Sequence, residues 1–175
     1  MATTLKRICA SLCLSCLATL PSPGHAAQVT GLWGEYKEHH NWTLAYQADP
    51  FWRHAFSRSQ IDLSLEYSLG QATSRAMPDN QSLWHIGITP VARWWFTPHT
   101  GLEAGIGANL FSGTRLGGKN ISTAFQFGDS IGVLHRFANT PWTLGLRFTH
   151  YSNADIKHPN PGQDFLQLRA SYDFN

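Results

Sequence analysis

The feature of this sequence that most constrains its fold is a repeated alternation of apolar and polar residues. A pattern of period two is typical of β-strands with one apolar and one polar face. The alternating segments are separated by residues that favour turns. The clearest ones are Ile61–Leu69, Trp84–Trp94, Leu102–Leu110, Trp142–Phe148 and Leu166–Phe174. Shorter segments occur at Trp42–Ala48 and Phe125–Phe127, and Val29–Lys37 is a weak first strand.

About eight strands of roughly ten residues are typical of small bacterial outer-membrane barrels. The alternation alone is also compatible with a soluble β-sandwich, whose apolar faces turn inward. Aromatic residues at strand ends, as in Trp94-Trp95-Phe96 and Trp142, favour the barrel, because membrane barrels carry aromatic girdles there. The last strand has Phe174 next to its end, although Asn175 follows. We predict an all-β protein, an eight-stranded antiparallel up-and-down transmembrane outer-membrane β-barrel.

The N-terminal segment differs in composition from the rest of the chain. Two basic residues precede a short apolar run, Pro21 breaks that run, and Ala26-Ala27 offers a cleavage site. This pattern is typical of a secretory signal peptide, and a retained membrane anchor is the alternative. We predict that residues 1–26 are a cleaved signal peptide and that residues 27–175 form a single outer-membrane barrel domain. All three cysteines lie in the predicted signal peptide, so the mature chain needs no disulfide framework.

The charge of the chain argues against nucleic acid as a partner. The sequence has 13 Lys and Arg against 11 Asp and Glu, and two of the basic residues lie in the predicted signal peptide. The predicted mature chain is therefore balanced, and it has no basic patch that indicates nucleic acid. Its scattered histidines show no metal-ligand spacing.

One predicted strand ends in two residues that suit nucleophilic catalysis. His150 and Ser152 continue the alternation of Trp142–Phe148, so they share its apolar face. At roughly 3.3 Å per residue on a tilted strand, His150 lies roughly 20 Å from Trp142, near the outer edge of the apolar band. A serine hydroxyl is a poor nucleophile until a base, usually histidine, takes its proton. The position and the residue types therefore indicate an esterase whose substrate is dissolved in the membrane.

A carboxylate and two amides complete this constellation. A carboxylate commonly orients the histidine of such a site, and Asp164 has the matching parity on the last strand. Asp155 is a second carboxylate, with less suitable parity and a loop position. Asn153 and Asn160, in the loop between the two strands, offer amide donors for an oxyanion. Polar residues also end many membrane strands without any catalytic role, so that interpretation stays open here.

Three blocks in the C-terminal half form an ordered signature. They are Glu103–Gly107 with Phe111–Arg115, then Phe125–Gly132, and finally His150–Ala154 followed by Lys157, Pro159–Gly162 and Asp164. In this order they resemble the PagL family of lipid A 3-O-deacylases. The resemblance implies that His150 is the base, Ser152 the nucleophile, and Asn160 the oxyanion-hole residue, while Asn153 matches another asparagine of the signature. The family has a glutamate where this chain has Asp164, which is one methylene shorter.

The resemblance also implies a function and a place of action. It implies a serine esterase of the outer membrane that removes the ester-linked 3-hydroxyacyl chain at the 3-position of lipid A, the membrane anchor of lipopolysaccharide. This chemistry requires no metal or organic cofactor. Basic residues near the outer rim, namely Arg115, Lys119 and Lys157, are candidates for binding the lipid A phosphates. The alternatives are a non-enzymatic structural or adhesive barrel and another lipid-modifying barrel, either a phospholipase or an acyltransferase. The oligomeric state stays open between a monomer and a homodimer.

Overall fold

The structure, a computed structural model, describes residues 27–75 and 81–174. The predicted signal peptide lies outside the described residues. Eleven β-strands follow one another along the described chain, and none of its residues is helical. The strands are β1 (Gln28–Tyr36), β2 (His39–Gln47), β3 (Trp52–Ala55), β4 (Gln60–Ser74), β5 (Ser82–Trp95), β6 (Thr100–Phe111), β7 (Arg115–Leu116), β8 (Lys119–Asn120), β9 (Phe125–Arg136), β10 (Trp142–Ser152) and β11 (Gln163–Asp173).

Eight of these strands close into a barrel. Their order around the wall is β2-β1-β11-β10-β9-β6-β5-β4, and β4 pairs back onto β2. Every pairing is antiparallel, and wall strands that follow one another along the chain are paired, with β3 intervening between β2 and β4 and the β7–β8 hairpin between β6 and β9. The short strand β3 adds to the edge of β4 where β2 has already ended. The predicted eight-stranded up-and-down barrel is confirmed.

The wall of the barrel is apolar outside and polar inside. Large aliphatic side chains on the outer face are more than half exposed, such as Ile106 at 65%, Leu168 at 62% and Ile131 at 60%. The inner face buries charged and amide side chains, including Glu66, Glu103, Arg93, Arg147, Arg169, Asn109 and Gln167. A soluble sandwich would have the reverse arrangement, so that alternative is wrong. A hydrocarbon environment suits this outer face, because it leaves no apolar surface in water.

Ion pairs fill the middle of the barrel. Arg147 makes a two-bond contact with Glu66, at 2.6 and 2.9 Å, and its Nε donates to Glu103 Oε1 at 2.7 Å. Glu103 also accepts a hydrogen bond from Arg93 Nε at 3.2 Å and lies 3.6 Å from Arg169 Nε. Such planar, charge-assisted contacts fix the relative positions of the strands that carry them. The middle of the lumen is therefore a packed polar core.

An apolar cluster closes one end of the lumen. We name this the loop end, because the connections 112–124 and 153–162 lie there; the opposite end, with residues 27 and 174, is the terminus end. The cluster consists of Ala72, Leu83, Phe111, Leu116, Ile121, Tyr151 and Phe165. Leu116 belongs to the β7–β8 hairpin and is only 2% exposed. This hairpin, in the connection between β6 and β9, thus folds over the barrel mouth.

Aromatic side chains ring the outer face near both ends. Trp33, Trp42 and Trp84 are exposed towards the loop end, where the indole rings of Trp42 and Trp84 are 5.5 Å apart. Trp94 and Trp142 are exposed towards the terminus end. Such belts match the two interfaces of a membrane. Because one aromatic belt lies at the loop end, the loop-end residues of β10 and β11 lie near one surface of the bilayer.

One strand is longer than its sequence pattern indicated. The alternation predicted only Phe125–Phe127, whereas β9 continues to Arg136. Polar residues on the outer face explain the difference, because Asp129 and His135 interrupt an otherwise apolar row. The inner face of β9 carries small residues, including Gly128 and Gly132, which also weaken the alternation.

Candidate active site

Strands β10 and β11 bring His150 and Asp164 together on the outer face. The two residues are direct partners in the antiparallel register, so their side chains leave the wall side by side. His150 Nδ1 lies 2.6 Å from Asp164 Oδ1. Both side chains are partly exposed, at 40% and 32%. An N–H on Nδ1 that donates to this carboxylate leaves the lone pair on Nε2, the atom that a general base needs.

Ser152 lies two residues beyond His150 on the same strand and on the same face. It is half-buried, and within the described chain its hydroxyl has no hydrogen bond to His150. The Cα atoms of such a pair are roughly 6.6 Å apart, so a side-chain rotation spans the gap. Catalytic hydrogen bonds are often long without substrate and shorten in the complex. The arrangement therefore permits proton transfer from Ser152 to His150 once a substrate is bound.

The loop after Ser152 is held by two asparagines. Asn153 is fully buried, and its Nδ2 donates to the carbonyl oxygens of Ile121 at 3.3 Å and Lys157 at 2.8 Å. Its backbone N–H donates to Asn160 Oδ1 at 3.1 Å. Asn160 Nδ2 donates one hydrogen bond to Asp155 Oδ1 at 3.1 Å, which leaves its second N–H available. The oxyanion role of Asn153 stays a prediction, and its side chain would have to release Ile121 or Lys157 to fill it.

Gly162 packs against the histidine ring, a contact that the sequence did not reveal. A Cβ built on Gly162 would lie 2.6 Å from His150 Cε1 and 3.3 Å from Nε2. The residue also has a positive φ of 64°, which other residues adopt with strain. Pro-Gly pairs such as Pro161-Gly162 are common in turns for local backbone reasons alone. No pattern in the sequence indicates that the turn forms one wall of the histidine pocket.

The three basic residues predicted to bind phosphate are placed differently from one another. Lys119 Nζ donates to Gly162 O and to Gln163 Oε1, each at 3.4 Å, so it braces the turn beside His150. Arg115 and Lys157 are exposed at the loop end. Among the described residues, no group of His, Cys, Asp and Glu has the arrangement of a metal site.

A solved structure has the same architecture as this chain. The crystal structure of the outer membrane enzyme PagL superposes with a TM-score of 0.74 and 26% sequence identity, over 84% of this chain and 99% of that one. Together with the apolar outer wall, this likeness defines the protein as a β-barrel enzyme of the outer membrane.

Sequence comparison identifies the family. Residues 40–173 match the family model described as Lipid A 3-O-deacylase (PagL). The lipid A deacylase PagL of Bordetella bronchiseptica is 40% identical over 135 residues, which are 75% of each chain. The lipid A deacylase PagL of Pseudomonas aeruginosa is 49% identical over 67 residues, which are 38% of each chain. The chain therefore belongs to the PagL family of ester-hydrolysing enzymes, as the resemblance predicted.

Proposed function

We propose that this protein hydrolyses the 3-O-ester of lipid A with Ser152, His150 and Asp164 on the lipid-facing side of the barrel. The observation that supports this most is the 2.6 Å contact between His150 and Asp164, on the outer wall and near one bilayer interface. A histidine–carboxylate pair has no evident structural purpose there, because the packing that stabilises the barrel lies inside. The membership in the PagL family supports the choice of substrate.

The first half of the reaction transfers the acyl chain to the enzyme. Ser152 Oγ attacks the ester carbonyl carbon while His150 Nε2 takes the hydroxyl proton. Asp164 keeps the ring in the tautomer with its proton on Nδ1 and stabilises the imidazolium that forms. The tetrahedral intermediate collapses, the bond to the sugar oxygen breaks, and His150 gives its proton to that oxygen. The products are an acyl-serine and a lipid A with a free 3-hydroxyl.

The second half of the reaction hydrolyses the acyl-serine and regenerates the free serine hydroxyl. Water attacks the acyl-serine while His150 takes one of its protons, and the collapse of the second intermediate returns that proton to Ser152 Oγ. A 3-hydroxy fatty acid leaves. The free N–H of Asn160 Nδ2 is the side-chain donor for the oxyanion in both halves, and Asp155 orients this amide. Asn153 sets the loop that carries Asn160, through their mutual hydrogen bond.

Two exposed basic side chains are candidates for binding the headgroup of lipid A. Arg115 and Lys157 are free to meet the phosphates of lipid A above the ester, whereas Lys119 is engaged with the turn at Gly162.

We also propose that residues 1–26 are removed during export and that residues 27–175 are the mature domain. The secretory pattern of that segment and the outer-membrane location of the family support this.

The decisive experiment compares the lipid A of cells that express the wild type and Ser152→Ala. Mass spectra of wild-type lipid A should show the loss of one hydroxyacyl chain, and the Ser152→Ala spectra should not. The control is Ser57→Ala, which changes an exposed serine in a turn at the terminus end. It should match the wild type. All variants should be compared at equal amounts of folded barrel in the outer membrane.

The other interpretations predict different spectra. A structural or adhesive barrel leaves lipid A unchanged in every strain. An acyltransferase adds mass to lipid A, and a phospholipase releases fatty acid from glycerophospholipid alone. A wild-type spectrum without the loss of a hydroxyacyl chain, in cells with folded protein in the outer membrane, would contradict the proposal.

A further inference from the structure

A polar pocket opens at the terminus end of the barrel, opposite to the end that carries the proposed active site. It lies between the turn that precedes β4 and the turn that joins β5 to β6, and its volume is about 260 Å³. Its lining includes two arginines, Arg58 and Arg136, and the hydroxyl residues Ser59 and Thr97. No carboxylate is among its described lining residues. We name it the rim pocket, and its lining is positively charged.

The Arg136 guanidinium in the rim pocket is held by an aromatic ring. Its Cζ lies 3.7 Å from the centre of the Trp95 ring. The ring is itself fixed, because its Nε1 donates to Asp62 Oδ2 at 3.2 Å. The backbone N–H of Arg136 donates to His99 O at 2.7 Å, which ties the end of β9 to the turn after β5. Within the described chain the guanidinium has no hydrogen bond or ion pair, so its planar edge can meet a ligand.

Thr97 and Arg58 also offer donors without acceptors. The Thr97 hydroxyl oxygen accepts hydrogen bonds from the backbone N–H groups of His99 at 3.2 Å and Thr100 at 2.8 Å. Both lone pairs are thus occupied, and the hydroxyl hydrogen remains to be donated. Arg58 is exposed in the turn before β4, and in the described part of the chain its guanidinium has no partner. The rim pocket therefore presents unpaired donors from two turns and one strand end.

The nearest carboxylates do not neutralise this charge. Asp62 and Asp173 line the lumen cavity next to the rim pocket. Asp62 forms an ion pair with Arg53 Nε at 2.9 Å. Asp173 accepts a hydrogen bond from Gln28 Nε2 at 2.7 Å and, among the described residues, forms no ion pair with Arg136. Positive charge is thus left over at the rim, and an anionic ligand is its natural partner.

The rim pocket lies at the level of the membrane headgroups. Trp94 and Phe96, which flank the pocket residue Trp95, are exposed on the outer face with their rings 5.8 Å apart. Phe56, two residues before Arg58, is also exposed. Such aromatic side chains mark the interface of a bilayer. The pocket therefore opens where a membrane lipid has its phosphate, beside a wall that suits the start of its acyl chains.

We propose that the rim pocket binds the phosphate group of a glycerophospholipid, in the leaflet opposite to that of the proposed active site. The two non-bridging oxygens of a phosphodiester share one negative charge and match the paired N–H groups of a guanidinium edge. Arg136 makes this two-bond contact, Thr97 donates a third hydrogen bond, and Arg58 adds its charge from the neighbouring turn. The site takes no part in ester hydrolysis, so this inference is independent of the proposed function.

The test measures lipid retained by the protein purified from outer membranes, by native mass spectrometry after release from nonionic detergent. The probes are dioleoyl phosphatidylglycerol and dioleoylglycerol, which lacks the phosphate. The wild type should retain one phosphatidylglycerol at a concentration at which little dioleoylglycerol is retained. Arg136→Gln and Arg58→Gln should each raise the lipid concentration for half occupancy about 10-fold or more, since each removes hydrogen bonds to a charged group.

The matched control is Arg75→Gln. Arg75 is exposed at the loop end, and its replacement changes the net charge by the same amount as Arg58→Gln. It should retain phosphatidylglycerol as the wild type does. Arg58→Gln should also keep the heat-dependent gel mobility of the folded barrel, because in the described chain this side chain supports no contact.

Inorganic phosphate distinguishes a lipid headgroup from a free anion. It should displace the lipid only in large excess, since it lacks the apolar chains that pack against the aromatic wall. Displacement at equal concentration would assign the rim pocket to free phosphate and overturn the choice of lipid. Equal retention of phosphatidylglycerol by the wild type, Arg58→Gln and Arg136→Gln would overturn the site itself, as would an equal loss in Arg75→Gln.

Discussion

The two faces of β10 and β11 differ in how strongly their side chains are held. On the lipid face, His150 and Asp164 are partly exposed and share one hydrogen bond, and Ser152 has none within the described chain. On the lumen face of the same strands, Arg147 and Gln167 are buried and each has several partners. The contacts on the lumen face hold the strands in position, so the polar groups on the lipid face need few structural partners and stay available to a substrate.

The lumen network continues up to the level of the site. Thr149, inward between Arg147 and Tyr151, donates to Gln167 Oε1 at 2.8 Å. Gln167 Nε2 donates to Asn41 Oδ1 at 2.7 Å, which ties β11 to β2 past the intervening strand β1. Tyr151 and Phe165 then pack in the apolar cluster directly behind the site, with ring centroids 6.2 Å apart. The wall beneath His150 and Ser152 is thus rigid, and changes on the two faces should separate activity from stability.

The largest expected effect on the lipid face comes from Asp164→Asn. An amide in place of the carboxylate no longer favours the tautomer with the proton on Nδ1 and cannot stabilise the imidazolium. We expect kcat for ester hydrolysis to fall by about 10³- to 10⁴-fold, as for comparable triads. The free energy of unfolding should stay close to the wild-type value, because Asp164 supports no other contact in the described chain. Hydrolysis of purified lipid A in detergent and urea unfolding measure the two quantities.

Asp164→Glu is the matched control for this change. It keeps a carboxylate beside His150 and introduces the glutamate that the resemblance implies for the family, so activity should equal or exceed that of the wild type. If Asp164→Asn kept a tenth or more of the activity, a different acceptor would orient His150, and Asp155 would be the first to examine.

On the lumen face, Glu103→Ala should destabilise the barrel without changing its chemistry. Glu103 is 2% exposed and contacts Arg93, Arg147 and Arg169, so its loss leaves buried positive charge uncompensated. Breaking a buried ion pair from one side typically costs about 3–5 kcal/mol of the free energy of unfolding. Urea unfolding in detergent micelles should show this loss. The kcat per folded molecule should stay near the wild-type value, because no site residue contacts Glu103.

The control for Glu103→Ala is Glu35→Ala. Glu35 is exposed on the outer face and lies 3.3 Å from His40 Nδ1 in a pair that solvent screens. Its removal should cause no measurable change in unfolding. Equal unfolding curves for the two variants would show that the lumen network does not stabilise the barrel. The proposed difference between the two faces would then be wrong.

The fold was largely predictable because one face of every wall strand must meet lipid. That requirement imposes a strict period of two, which the sequence shows clearly in β4, β5, β6, β10 and β11. The prediction was poorest where outward residues are polar, as in β9 with Asp129. The β7–β8 hairpin was missed because its apolar residues, Leu116 and Ile121, are too few to form a pattern and are buried only by distant strands.

The site was predictable only in part. Parity alone assigned His150, Ser152 and Asp164 to one face, because side-chain direction in a strand depends only on position. The two loop contacts, Asn153 with Ile121 and Gly162 with His150, were not predictable. They join segments far apart in sequence, or depend on the path of an irregular loop, and no local pattern encodes either.

The smallest expected effect, and the most specific test of the site's geometry, is that of Gly162→Ala. The new methyl group would press on the imidazole at Cε1, so the ring must tilt away from the line between Ser152 and Asp164. We expect kcat to fall about 10-fold, with KM unchanged, because misplaced catalytic groups lower the rate more than the binding. The control is Gly118→Ala, since Gly118 also has a positive φ, of 80°, but has nothing within 4 Å of a built Cβ. Both variants share the backbone strain, so both should lose a similar stability, and only Gly162→Ala should slow the reaction. Equal kcat values for the two variants would mean that the turn does not position His150. The contact with Asp164 alone would then hold the imidazole in place.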